Sequence, residues 1–468
     1  MSDDQATSFW TPSISRTAGP VYLAIADALQ ADIQAGHLAT GTRLPPQRAL
    51  AEALGIDFTT VTRAYAEARR RGLVEGRVGQ GTYVSQGRTA PPLRQRPNPS
   101  GLVDMSMNLP PRFDDEALSA RMWQGISGLE TTDGLDLLLR YQQPGGAARD
   151  RAAGAEWLAN RLPGIGPERI LVCPGAQGAL LAVTGMLTAP GDTVCAEALS
   201  YPGFLSVAAH LRLTVAALEI DDKGLIPEAF EQICISRRPK ALYCNPTISN
   251  PTTITLPFSR RKAILDIAAR HDVVIIEDDA YGALPMQPVT PLAALAPERV
   301  YHIAGLAKCL SPALRIAYLA VPDLRAATML AGTIRATSAM ASPLSSAIAS
   351  RWIEDGTAEA VLAAIRRETK LRQAIAAELL PAANLLVDPE GFHAWLQLSS
   401  SWSRGEFTAR LRSAGIGVVA SDAFAVGPAP EAVRLGLGAA EDREHLRQSL
   451  GIVADLLAET PAASAMVV

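Results

Sequence analysis

Only five of the 43 basic residues are lysines: Lys223, Lys240, Lys262, Lys308 and Lys370. Chemistry that requires an amine therefore has five candidates. A lone lysine is ordinarily a solvated surface group. Lys308 has different company, because it ends the apolar run VYHIAGLA and Arg315 follows it seven residues later. A second run, IIEDDAYG, carries Asp278 at its end and Tyr281 just after. Two adjacent acids at the end of a strand are costly unless they are solvated or employed. NPTISNPT places Asn250 before Pro251. LVCPGAQGAL reads as strand, tight glycine turn and helix start, which can cradle a phosphate with backbone N–H groups and the helix dipole.

One cofactor calls on this whole set. Pyridoxal phosphate requires an amine for a Schiff base, a carboxylate for its ring nitrogen, phosphate donors and an aromatic face. The elements that must position these groups are short β-rich runs alternating with helical patterns, from about Leu102 to the end. The runs include Arg169–Cys173, Thr193–Ala196, Leu242–Asn245, Val273–Glu277, Val300–Ala304 and Ile316–Val321. Such alternation predicts an α/β fold with a largely parallel sheet. Ligands of open α/β sheets sit at the carboxyl ends of the strands, where all four motifs fall.

The first 84 residues read differently. A helical stripe of Tyr22, Ile25, Ala26, Leu29 and Ile33 stops at Gly36. A short helix with Leu50, Ala53 and Leu54 inward stops at Gly55. A third helix begins near Thr59, turns Val61, Ala64, Tyr65 and Ala68 inward, and ends at Gly72. LVEGRVGQGTYV follows as a β-hairpin with glycines at its tip. Three helices and a hairpin make a winged helix-turn-helix, whose third helix would enter the major groove. Arg69–Arg71 reads equally as a DNA contact or as a solvated helix end suited to the macrodipole. Between the two zones, SQGRTAPPLRQRPNPSG (Ser85–Gly101) is Pro-rich and basic and reads as an extended linker.

Composition bounds the alternatives. With a net charge of -4 the chain as a whole is no polyanion binder, yet the linker holds Arg88, Arg94 and Arg96 and no acid. The five cysteines are scattered and show neither CxxC nor Cys/His spacing. That argues against a disulfide framework and structural zinc, and fits a reducing cytosol. No apolar run reaches the roughly 18 residues of a membrane span. The N-terminus, with its acids, does not read as a signal peptide. A metal site, a membrane role and an exported location are therefore not expected.

TGTRLPPQRALAEALGIDFTTVTRAYAEARRRGLVEGRVGQGTYV resembles the DNA-binding domain of the GntR family of bacterial regulators. The resemblance covers about residues 15–84. It implies DNA contacts at Arg48, Thr59, Thr60, Thr62, Arg63, Gly79 and Gly81. Phe58 stands where many members carry arginine, which implies an altered operator preference. The segments from about 104 to 455 resemble the fold-type I aminotransferases. That likeness implies an internal aldimine on Lys308, a ring-nitrogen partner in Asp278, and hydrogen bonds from Asn250 and Tyr281 to the ring hydroxyl. It implies stacking by Tyr201 and phosphate contacts from Ala176, Gln177 and Arg315. Tyr141, in RYQQPGG, matches a tyrosine that reaches the neighbouring subunit's phosphate, so a dimer is implied. Arg434, alternating with Val433, Leu435 and Leu437, matches the arginine that grips a substrate carboxylate. Gly305 and Ala307 stand where the family carries hydroxyls, and Thr253 where glycine is common. Two phosphate donors are missing, so a weaker grip on the cofactor is expected.

The two parts in this order resemble the MocR/GabR subfamily. The expected fold is an α+β winged helix-turn-helix followed by an α/β transferase fold with a mainly parallel central sheet and a smaller C-terminal lobe. The expected boundaries are 1–84 for the DNA-binding domain, 85–103 for the linker, 104–340 for the large domain with its N-terminal arm, and 341–468 for the small domain. The resemblance implies a cytoplasmic, head-to-tail homodimeric regulator. It would bind promoter DNA and sense an amino compound by external aldimine formation, with Arg434 selecting an acidic group. The alternatives are a working aminotransferase with an accessory DNA-binding domain, and a regulator that responds to pyridoxal phosphate itself.

Overall fold

A computed structural model describes residues 10–12, 20–39, 41–71, 73–77, 81–84, 103–129 and 134–459. The chain divides into two compact units, 1–99 and 100–468. Gly72, Gly79 and nearly all of the expected linker lie outside the described residues.

In the first unit three helices span Val21–Gln34, Gln47–Leu54 and Phe58–Arg70. Val74–Arg77 then pairs antiparallel with Gly81–Val84, in the register Val74 to Val84 and Arg77 to Gly81. Gly55 ends the second helix in the left-handed region, at φ 61° and ψ 42°, where a glycine has no steric cost. Asp57 caps the third helix by accepting from the Thr59 N–H at 2.8 Å, which satisfies one of its free donors. Leu29, Leu50, Val61, Tyr65, Ala68, Val74 and Val84 form one core. The expected inward face of the second helix is corrected in one position. Ala53 is exposed and Ala51 is buried, so the stripe runs Leu50, Ala51, Leu54. Alanine buries too little apolar area to orient a helix, and packing of its neighbours decides the rotation.

The second unit is built on a seven-stranded sheet. Its spatial order is Ile170–Cys173, Ala317–Ala320, Val300–Gly305, Val274–Asp278, Ala241–Cys244, Thr193–Glu197, Thr214–Leu218. All neighbours are parallel except Ala317–Ala320, which runs antiparallel to both of its partners. The six expected runs form strands, and Thr214–Leu218 adds an edge strand. Side chains alternate between two apolar cores. Leu171, Tyr243, Ile276 and Ile303 face one, and Val172, Leu242, Ile275 and Ala304 face the other. Helices cover both faces, which explains why the central strands are apolar throughout.

The C-terminal lobe carries a four-stranded sheet ordered Leu385–Val387, His393–Gln397, Ala432–Gly436, Val419–Ala420. The 23-residue helix Thr357–Leu379 joins the two lobes. Its Ala358, Val361 and Ile365 enter the large core, while Ile375 and Ala376 enter the small one. Val103–Asp104 pairs in parallel with Ile416–Gly417, and Met105 is buried in the small core. The segment that follows the linker is thereby anchored to the C-terminal lobe. Among the described residues no helix is long and apolar enough to cross a membrane.

Candidate cofactor and effector site

A cavity of about 700 Å³ opens at the carboxyl ends of the parallel strands. It is lined by Lys308, Asp278, Tyr281, Asn250, Tyr201, Ala176, Gln177, Arg315 and Arg434, so nine of the side chains singled out in the sequence converge. Topology explains the convergence. Asp278 ends its strand, Lys308 and Asn250 lie in the loops after theirs, and Tyr201 is the residue before the helix Pro202–His210. Arg434 arrives from the other lobe, on the face of its strand opposite Val433 and Leu435. Tyr141 does not line the cavity and is 91% exposed.

Electrostatics tune the two central groups. Burial pushes the Lys308 ammonium down to about 8; the positive charges of Arg434 and Arg315 add to this, and Asp278 opposes it. Burial pushes the Asp278 carboxyl up to about 6, and the hydrogen bond donated by Tyr243 holds it down. Asp278 Oδ2 accepts from Tyr243 at 2.9 Å. Its Oδ1 is buried and has no hydrogen-bond partner among the described residues. An orphaned carboxylate oxygen in a cavity wall suits a protonated ring nitrogen.

The other end of the cavity suits a phosphate. The helix Gly175–Leu187 begins there, with Gly175 at φ 76°, and Ala176 and Gln177 in its first turn. At that φ a side chain would be strained, and a Cβ on Gly175 would lie 3.4 Å from the Arg315 guanidinium, in contact with the group that faces the helix start. Gly305 and Ala307 also line the cavity and offer no hydroxyl.

The segment 105–109 crosses the site. The carbonyl of Asn108 accepts from Lys308 Nζ, and the Asn108 amide donates to the Tyr281 hydroxyl at 2.7 Å. Arg434 donates to Asn250 Oδ1 at 2.9 Å and to the carbonyl of Ser106, with its guanidinium 5.1 Å from the Phe424 ring. The Gly436 N–H donates to the Met105 carbonyl at 2.8 Å and clamps this strap to the Arg434 strand. Asn245 bonds the Asp278 carbonyl and accepts from the Asn250 N–H at 2.9 Å. Sequence reasoning missed Tyr243, Asn245, Ser106, Asn108 and Phe424. Only Asn245 had a signal, as a polar residue closing an apolar run. The neighbouring acid Asp279 forms an ion pair with Arg161.

In the first unit Arg48, Thr59, Thr62, Arg63 and Gly81 are exposed, and Thr60 is half-buried. Several are already engaged. Thr62 donates to Gln47 Oε1 at 2.9 Å and Thr59 to Asp57. Arg48 lies 5.8 Å from the Phe58 ring and Arg63 4.2 Å from the Tyr22 ring. Arg71 is not a solvated helix end, since it pairs with Glu67 at 2.8 Å and Asp27 at 2.5 Å.

The family profile of aminotransferase class I and II matches residues 133–452, and that of bacterial regulatory proteins, gntR family, matches residues 21–84. The HTH-type transcriptional regulator YdeF of Bacillus subtilis is 30% identical over 451 residues, 96% of each chain. The probable rhizopine catabolism regulatory protein MocR of Rhizobium meliloti is 30% identical over 329 residues, 65% of this chain and 66% of that one. The chain belongs to the MocR/GabR subfamily of GntR-type transcriptional regulators. The α-aminoadipate aminotransferase LysN of Thermus thermophilus shares the fold of the second unit, with a TM-score of 0.69. It is 23% identical, and the match covers 76% of this chain and 92% of that one. A MocR/GabR protein is thus a DNA-binding regulator with an aminotransferase-like domain of a fold whose members bind pyridoxal phosphate.

Proposed function

We propose that this regulator senses an acidic amino compound in the cavity between Lys308 and Arg434 and passes the signal to promoter DNA through the 85–103 linker. The observation that carries this reading is the strap. Lys308 and Arg434 are both hydrogen-bonded to backbone carbonyls, those of Asn108 and Ser106, in the segment that continues directly from the linker. A ligand acid that takes over the Arg434 N–H now held by Ser106 would release the Ser106 carbonyl. Occupancy of the cavity and the path of the linker are then two sides of one equilibrium.

Bound here, pyridoxal phosphate would supply an aldehyde carbon that accepts amines. The residues that hold it would be Asp278 at the ring nitrogen, Asn250 and Tyr281 at the ring hydroxyl, and Tyr201 on its face. Ala176, Gln177 and Arg315 would hold the phosphate. With its pKa at about 8, Lys308 keeps a usable fraction of neutral amine near neutral pH and can accept a proton at Nζ. Arg434 binds a carboxylate or sulfonate, stacked beside Phe424.

A second copy completes the assembly in this reading, as a head-to-tail dimer acting in the cytoplasm. Tyr141 is exposed together with Leu135, Leu138, Leu139 and Trp123, an apolar set that a partner would cover. In the first unit Arg48, Thr59, Thr60, Thr62, Arg63, Gly79 and Gly81 would meet the operator. The reading of the chain as a working aminotransferase is favoured by the intact set of Lys308, Asp278 and Arg434 in one cavity.

A promoter-binding titration with amino acids and aminosulfonates, with and without pyridoxal phosphate, tests the proposal. Promoter affinity should change with an acidic amine only when the cofactor is present, and Lys308→Ala should abolish that response. A normal response in Lys308→Ala overturns the amine switch. A response to pyridoxal phosphate alone would replace the effector by the cofactor. Sustained turnover with a keto acid would make the chain an enzyme.

A further inference from the structure

The strand Ala241–Cys244 runs beside Val274–Asp278, with Tyr243 opposite Ile276. Ile276 and Asp278 are two residues apart and point to the same face, so the Tyr243 side chain reaches Asp278 along the sheet. Its ring is stacked on Phe204, with centroids 3.9 Å apart and planes within 3°. Phe204 belongs to the helix that Tyr201 precedes. Stacking leaves the phenol little freedom, and its hydroxyl donates to Asp278 Oδ2 at 2.9 Å. Asn245 holds the Asp278 carbonyl from the same loop. The remaining carboxylate oxygen, Oδ1, is buried without a partner among the described residues, and Asp278 lines the cavity.

We propose that Tyr243 is a positioning residue for the cofactor: it fixes the Asp278 carboxylate with Oδ1 facing the cavity and keeps it ionised opposite the ring nitrogen. This rests on the reading of Asp278 as the ring-nitrogen partner. An O–H donor to the charged form lowers a carboxyl pKa, so loss of the hydroxyl raises it. Asp278 already stands at about 6 through burial. The other titratable groups that act on it are Asp279 just after its strand, His302 and Cys244 on the neighbouring strands, Lys308, Tyr201 and Tyr281. Glu197, pushed up to about 7 by burial, acts on Tyr243 from the strand beyond.

The test is the pH dependence of pyridoxal phosphate affinity, from pH 5.5 to 9, in the full-length protein. Affinity should fall on the acid side as Asp278 is protonated. In Tyr243→Phe, which keeps the stack, the midpoint of that limb should rise by about 1.5 pH units, the size of a hydrogen bond to a charged group. Binding would then weaken roughly fourfold at pH 7 and hardly at all at pH 9. Tyr243→3-fluorotyrosine, a stronger donor, should move the midpoint down, which guards against a folding defect in the phenylalanine variant. Asp278→Asn should abolish the limb, and Tyr243→Phe should add nothing to it. An unmoved midpoint in Tyr243→Phe, with the limb still lost in Asp278→Asn, overturns the role of Tyr243. A limb that survives in Asp278→Asn overturns the reading of Asp278 itself.

Discussion

Lys308 should react as an amine of pKa about 8 rather than as an ordinary lysine. At pH 7.5 that leaves ~24% of it neutral, against ~0.1% for a lysine at about 10.4. The gain is roughly 200-fold in the nucleophilic form. Its causes are ordered: burial first, then the like charge of Arg434, with Asp278 opposing and Arg315 adding. Arg434→Met removes one like charge from the shared cavity. Such a charge, partly screened across an open cavity whose effective dielectric lies between that of a buried site and that of water, is worth on the order of 1 kcal/mol, or roughly 0.7 pH unit. The neutral fraction at pH 7.5 should then fall to ~6%, a fourfold loss of rate. The sign is specific, because lowering the charge repulsion favours the ammonium. Asp278→Asn removes the attraction and should move the pKa the other way. The assay is stopped-flow growth of cofactor absorbance on the cofactor-free protein, across pH 6 to 10. A wild-type midpoint near 10, or a downward shift in Arg434→Met, would refute the reasoning.

Ala307→Ser restores a hydroxyl to the cavity wall and should tighten pyridoxal phosphate binding about tenfold, read by spectrophotometric titration. Unusually tight binding by the wild type would sink the expectation of a weak grip. Gly438→Ala would place a Cβ 1.9 Å from the Leu109 carbonyl and must push the strap aside. Effector-dependent change in promoter affinity should collapse while cofactor absorbance persists; an intact response would detach the strap from signalling. Phe58→Arg should strengthen promoter binding and steepen the plot of log K against log salt by about 0.9, the signature of one added phosphate contact. An unchanged slope in anisotropy titrations would place residue 58 away from the DNA backbone.

Local pattern carried much of this molecule into view. Helix stops at Gly36 and Gly55, the six apolar strands and the ends of those strands are all encoded within a few neighbouring residues. Lys308 stood out among five lysines for the same reason: an apolar strand before it and Arg315 after it are sequence-local features. The alternation around Arg434 likewise announced a charged face on a buried strand. Rotation of the second helix onto Ala51 instead of Ala53 was not legible, since it depends on what packs there. The same holds for the bonds that organise the cavity. Asn108 meets Tyr281, the Lys308 amine meets the Asn108 carbonyl, and Arg434 meets the Ser106 carbonyl across long stretches of chain. Two of these acceptors are backbone carbonyls, which carry no side-chain identity for a sequence to display. Tyr243 looked like one more core aromatic in an apolar run, and only the register of two parallel strands turned its hydroxyl onto Asp278. Residue types and short-range periodicity thus determined which groups the chain owns and on which elements they ride. Strand register and the course of the strap decided which of them touch, because those contacts are long-range and cooperative rather than local.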